Sequence, residues 1–147
     1  MDDLERMQEI RAEGFYCSQV LIIQGLELQG KENPELVRAM HSLAGGLGFC
    51  GELCGALSGG ACLLGLYAGK GLPQEEQDPR LEFMVNDLVK WFKDTYGQSY
   101  GGIRCEEIVG DSSKNMSTRC PVIVAATFQK VKELLVENGF DLCGAAE

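Results

Sequence analysis

Leu53-Cys54-Gly55-Ala56-Leu57-Ser58-Gly59-Gly60-Ala61-Cys62-Leu63-Leu64-Gly65-Leu66-Tyr67-Ala68-Gly69 is apolar enough to be a buried helix, yet it is seeded with glycine. A glycine inside a helix costs about 1 kcal/mol relative to alanine, so something must compensate. Close approach is the natural compensation. Gly55 with Gly59, and Ala61 with Gly65 and Gly69, form two small-residue stripes at helical spacing. A second backbone, or a bulky cofactor, fits directly against either stripe. From the glycines alone, tight helix packing is the simpler of the two readings. The run is too short and too rich in glycine to span a bilayer, so it is expected at the centre of a helical bundle.

Ala44-Gly45-Gly46-Leu47-Gly48-Phe49-Cys50-Gly51 precedes this helix and reads as a glycine-rich loop. It lacks the G-x-x-x-x-G-K-[ST] spacing of a phosphate loop, and no strand pattern leads into it. Further out, other segments repeat apolar residues at helical spacing. Residues 3–13 place Leu4, Met7 and Ile10 on one face. Residues 16–28 form a more apolar helix with Cys17 in its first turn. Asn33-Pro34 is an N-cap followed by proline at the first helical position, opening a helix to about Leu43. Asp78-Pro79 opens another, running to about Tyr96, with Leu81, Leu88 and either Trp91 or Phe92 on its stripe. Residues 97–102 read as a flexible connection. Cys105 to Val109 reads as a short helical turn, and residues 111–118 as a polar loop. Ser117 or Thr118 then caps a last helix, which carries Cys120-Pro121 at its start and runs to Glu137. Gly139 ends it, before a loose tail through Cys143. These patterns predict an all-α, compact helical bundle of about five or six helices, a single domain over residues 1–147.

The chain of 147 residues carries 22 acidic against 13 basic side chains, a formal net charge of -9. That balance argues against a sequence-independent grip on nucleic acid or on an anionic membrane. Met1-Asp2-Asp3-Leu4-Glu5 has no basic n-region, so no secretory signal and a cytoplasmic location are expected. Thiols stay reduced in that compartment, and 7 cysteines cannot all close in pairs. Such a chain points to metal binding or redox chemistry.

Cys54 lies near a helix N-terminus, where backbone amides and the helix dipole favour a thiolate. A nucleophilic thiol, a redox thiol and a metal ligand are all served by that position. Cys17 and Cys120 are placed at helix starts as well, and Cys105 on its short turn is the natural fourth. No C-x-x-C pair occurs, which weakens zinc-ribbon and thioredoxin-type readings. Four dispersed thiolates can still converge on one iron–sulfur cluster. Cys50, four residues before Cys54, is a candidate disulfide partner or substitute ligand. Cys62 reads as core, and Cys143 as spare or as a reversible intermolecular disulfide. The lone histidine, His41, is expected to be a surface or half-buried residue rather than a ligand.

In this order the elements Cys17-Ser18-Gln19, Gly45-Gly46-Leu47-Gly48, Cys54-Gly55-Ala56-Leu57-Ser58-Gly59, Cys105-Glu106-Glu107-Ile108-Val109-Gly110 and Cys120 resemble a redox-active protein family. That family is named for its cysteine pattern C…CGAxxG…C…C, and the resemblance covers nearly the whole chain. It implies that Cys17, Cys54, Cys105 and Cys120 are the functional group, in an electron-transfer role within an anaerobe. Cys50, Cys62 and Cys143 lie outside the pattern.

The leading expectation is thus an electron-transfer protein with Cys17, Cys54, Cys105 and Cys120 as iron–sulfur ligands. Gly55, Gly59, Gly46 and Gly48 would let the chain close around the cofactor. The protein would act with a redox partner protein, as a component of a larger oxidoreductase system, and a homodimer is among the expectations. The alternatives are metal-free thiol–disulfide exchange centred on Cys54 and Cys50, a structural zinc site, or a helical interaction module.

Overall fold

A computed structural model describes residues 2–144. Seven of its helices are α1 (Asp3–Ala12), α2 (Cys17–Leu28), α3 (Pro34–Met40), α4 (Gly55–Ala68), α5 (Pro79–Phe92), α6 (Gln98–Tyr100) and α7 (Cys105–Val109). A long helix, α8 (Lys114–Glu137), follows them. The fold is all-α, as the periodicities predict. The only sheet-like pairing among the described residues is an isolated antiparallel bridge between Leu53 and Arg104.

Helix α4 is the hub, packed against α2, α5 and α8. Its glycines explain how. A Cβ on Gly59 would sit 3.0 Å from the Cα of Ser18, so α2 lies backbone-close along this face. Gly25 of α2 reciprocates, since a Cβ there would collide with Leu63. On another face Gly60 admits Thr127 of α8 and Leu88 of α5. Gly65 has nothing within 4 Å of its would-be Cβ, so the Ala61–Gly65–Gly69 stripe is not a packing seam.

Around that hub, Met7, Val20, Leu21, Leu63, Leu64, Met84, Leu88, Phe92, Ile108 and Leu135 are fully buried. Several buried polar groups are paired inside the bundle, as low dielectric demands, although among the described residues both side-chain polar atoms of Gln29 and the Oε1 of Gln24 have no partner. Ser18 Oγ donates to the Met40 carbonyl (2.8 Å) and Gln19 Nε2 to that of Val37 (3.2 Å), pinning α3 to α2. Gln24 Nε2 donates to the Asp3 carbonyl (3.0 Å), and Lys132 pairs with Asp3, tying α1 to α2 and α8.

Several boundaries differ from expectation. Leu4 is 48% exposed, and α1 buries only Met7 and Ile10. Helix α3 stops at Met40 and tightens into a 3₁₀ turn, His41–Leu43. Helix α4 starts two residues late because the Leu53–Arg104 bridge and the bond from Cys54 N–H to the Ile103 carbonyl (3.1 Å) hold the chain extended. Residues 97–102 are no loose connection. A π turn at Lys93–Gly97 carries α5 into α6, and the helix ends only where Gly101 takes a left-handed φ of 83°. Helix α8 begins at Lys114, so Cys120 lies in its second turn and Pro121 inside it. The tail is docked as far as Leu142, whose carbonyl accepts from Tyr67 Oη (2.7 Å). Cys62, expected in the core, is exposed.

Candidate functional site

The loop before α4 sets the geometry. Gly45, Gly46, Leu47, Gly48 and Phe49 all have positive φ, from 58° to 73°, and so wind one left-handed turn. L-residues avoid this conformation, which accounts for the glycine content. The turn is closed by bonds from Phe49 N–H to Ala44 O, Gly51 N–H to Gly45 O and Glu52 N–H to Gly46 O. Its far end pairs with the start of α7. There Cys105 N–H donates to Glu52 O (2.6 Å) and Glu106 N–H to Gly51 O (3.2 Å). Cys54 and Cys105 are thereby brought side by side from positions far apart in sequence.

Four cysteines face one cavity of about 290 Å³: Cys17, Cys54, Cys105 and Cys120. Each comes from a different element. Cys17 is the first residue of α2, Cys54 the N-cap of α4, Cys105 the first residue of α7, and Cys120 a second-turn residue of α8. Phe15, Ala56, Ile108, Ile123 and Val124 complete an apolar wall. Gly55 is the key to the approach of α2. A Cβ there would lie 2.5 Å from Cys17 Sγ and 3.3 Å from the Leu43 carbonyl.

Burial dominates the acidity of all four thiols. It raises Cys17 and Cys105, and pushes Cys54 up to about 12 and Cys120 to about 11. The thiols also raise one another, Cys17 acting on Cys54, Cys105 and Cys120. Opposing this, the amides of Gly45, Ser18 and Cys17 itself favour a Cys17 thiolate, and those of Ala56 and Leu57 favour one at Cys54. As a neutral thiol Cys54 makes no capping hydrogen bond. Those helix-terminal amides therefore matter only once it ionises. The Arg11 charge favours the thiolates of Cys17 and Cys120.

The remaining candidates lie elsewhere. Cys50, Cys62 and Cys143 are exposed and outside the cavity. His41 is exposed and stacked on Tyr16, ring centroids 5.4 Å apart. Of the glycines named from sequence, Gly55 lines the cavity and Gly59 faces the α2 backbone. Gly46 supports Cys105 from below, its would-be Cβ 2.8 Å from that of Cys105, and Gly48 meets nothing within 4 Å. Gly45, Arg11 and Met116 also line the cavity without having been singled out from sequence. Gly45 is visible there only as one member of a glycine run. Arg11 gives no local signal, because its role depends on how α1 packs.

Among the described residues, no three His, Cys, Asp or Glu side chains are gathered as ligands of a single ion. The four cysteines instead line one cavity. No curated protein and no solved structure matches the chain. A family model described as "Putative redox-active protein (C_GCAxxG_C_C)" matches residues 15–134, spanning all four cavity cysteines. Its name spells Gly-Cys-Ala where this chain reads Cys54-Gly55-Ala56. The match spans most of the chain, and the protein belongs to this redox-active family.

Proposed function

We propose that the protein is an electron carrier in which Cys17, Cys54, Cys105 and Cys120 hold an iron–sulfur cluster inside the cavity. The observation that carries this reading is the convergence of four thiols, from four separate elements, on one apolar space. Four thiolates are also a ligand set that a single zinc ion takes, and metal analysis separates that reading from the cluster. Cysteine-only ligation of this kind is what iron–sulfur clusters use. When bound, such a group supplies one-electron transfer at a potential tuned by burial and hydrogen bonding.

The chain supplies the rest. Phe15, Ile108, Ile123 and Val124 exclude water, which strengthens every electrostatic interaction in the cavity. The Gly45 and Ser18 amides favour a Cys17 thiolate against the larger cost of burial, and those of Ala56 and Leu57 do the same for Cys54. Gly55 keeps the α2 and α4 termini close enough for both thiols to share the cavity. The acidic surface suits a basic redox partner.

Anaerobic purification with iron and sulfide analysis, a visible spectrum and EPR of the reduced form tests the reading. The expected result is stoichiometric iron and sulfide, lost on Cys→Ser change at any of the four cavity positions. Cys50→Ser, Cys62→Ser and Cys143→Ser should retain both. A colourless protein that stays iron-free after reconstitution would overturn it. A metal-free two-electron midpoint potential would replace it with thiol–disulfide exchange.

A further inference from the structure

We propose that Arg11 is the charge-compensating residue of the four-cysteine cavity, a cation on its wall that promotes electron uptake there. This deepens the cluster reading and rests on it for the electron-uptake half alone.

Arg11 lies in the last turn of α1 and lines the cavity together with all four thiols. It is half-buried, and among the described residues no carboxylate pairs with it and no carbonyl accepts from its side chain. A half-buried guanidinium without a counter-charge is costly unless something anionic comes to it. The neighbouring cations are committed elsewhere. Arg6 is bonded to Glu27 and Glu9, Lys132 to Asp3, and Arg104 to Glu52 and Glu106. Arg119 donates to the Ile108 carbonyl (2.6 Å) and lies over the Tyr100 ring.

The charged and titratable groups facing the cavity are otherwise of one sign. Cys17 comes from α2, Cys54 from α4, Cys105 from α7 with Glu106 beside it, and Cys120 from α8. Tyr96 stands near enough to Cys54 to feel its charge. Arg11 is the cation on the wall that the four thiols share, and its charge favours the thiolates of Cys17 and Cys120. Adding an electron to a site already ringed by thiolates raises its negative charge. A fixed cation at a low-dielectric boundary lowers that cost, and no proton transfer is needed.

The test compares wild type, Arg11→Gln and Arg11→Lys in two measurements. The first uses reduced, metal-free protein at fixed pH and needs no cluster. Alkylation at Cys17 and Cys120 by anionic iodoacetate and by neutral iodoacetamide is followed by peptide mass spectrometry, with Cys62 and Cys143 as internal controls. Arg11→Gln should lower the iodoacetate-to-iodoacetamide rate ratio at Cys120 and Cys17 several-fold, leave the controls unmoved, and Arg11→Lys should restore the ratio. The second is the midpoint potential of reconstituted protein. Arg11→Gln should make electron uptake about tenfold less favourable, about 59 mV for one electron, and Arg11→Lys should recover most of that. An unchanged alkylation ratio in Arg11→Gln would overturn the proposal. A wild-type chain that takes up no cluster would sink the cluster reading and leave the alkylation result to decide the role of Arg11.

Discussion

Gly55 and Gly65 occupy the same helix and make opposite demands. At Gly55 a methyl group would meet Cys17 Sγ at 2.5 Å and the Leu43 carbonyl at 3.3 Å. At Gly65 it would meet nothing within 4 Å. Neither residue has a left-handed φ, so the difference is one of space and not of backbone strain. Gly55→Ala is expected to destabilise by about 1–3 kcal/mol through overpacking and to push Cys17 out of register with Cys54. Gly65→Ala is expected to stabilise by about 1 kcal/mol, the helix-propensity gain alone. Urea denaturation of the two variants checks both signs, and equal effects would mean that α2 does not press on α4 at Cys17. From the sequence the two stripes were equivalent, because helical spacing says which residues share a face but not which face a neighbour takes.

Helix α8 shows how a whole element can be misjudged at one end. The pair Cys120-Pro121 resembles a helix start because proline is at home in a first turn. The chain instead enters helix at Lys114, and Asn115 Nδ2 bonds back to the Val109 carbonyl (2.7 Å) to fix that entry. Pro121 then has no N–H to give the carbonyl of Ser117, which lines the cavity, and its ring crowds that carbonyl. Pro121→Ala should therefore stabilise the protein by about 2 kcal/mol, the interior-proline penalty less the entropy that proline removes from the unfolded chain. The shift in urea midpoint measures it, and a loss of stability would show that the Ser117 turn needs the proline. Elements with a strong local signal were legible from the sequence: Cys105–Val109, and the starts of α2, α3 and α5. The π turn at Lys93–Gly97 and the early entry of α8 were not, since both are set by packing. The convergence of Cys17, Cys54, Cys105 and Cys120 came from their ordered pattern, whereas the exposure of Cys62 follows from which α4 face its neighbours leave bare.

For the molecule as a whole, the four-cysteine cavity makes metal-free stability fall as pH rises, and on the proposed cluster reading it makes loading fall as pH falls. In the reduced, metal-free fold, burial first and neighbouring thiols second push Cys54 to about 12 and Cys120 to about 11, against an ordinary 9.0. Both folded values lie above the unfolded one, so between them the folded state binds more protons than the unfolded state. Stability from this source is fully present below about pH 9 and is lost as pH rises toward 11 and 12. Each such thiol contributes a slope of at most about 1.4 kcal/mol per pH unit. Urea midpoints of the metal-free protein should be level from pH 7 to 8.5 and fall by pH 10, and Cys54→Ala should flatten the decline. Loading runs the other way, because thiols must release protons to become ligands, so cluster retention should weaken as pH falls below neutrality. Iron retained after dialysis across pH 5.5 to 8 reads that limb. A metal-free midpoint that stays level to pH 10 would mean the thiols reach water in the folded chain, and burial would then not be what raises Cys54 and Cys120.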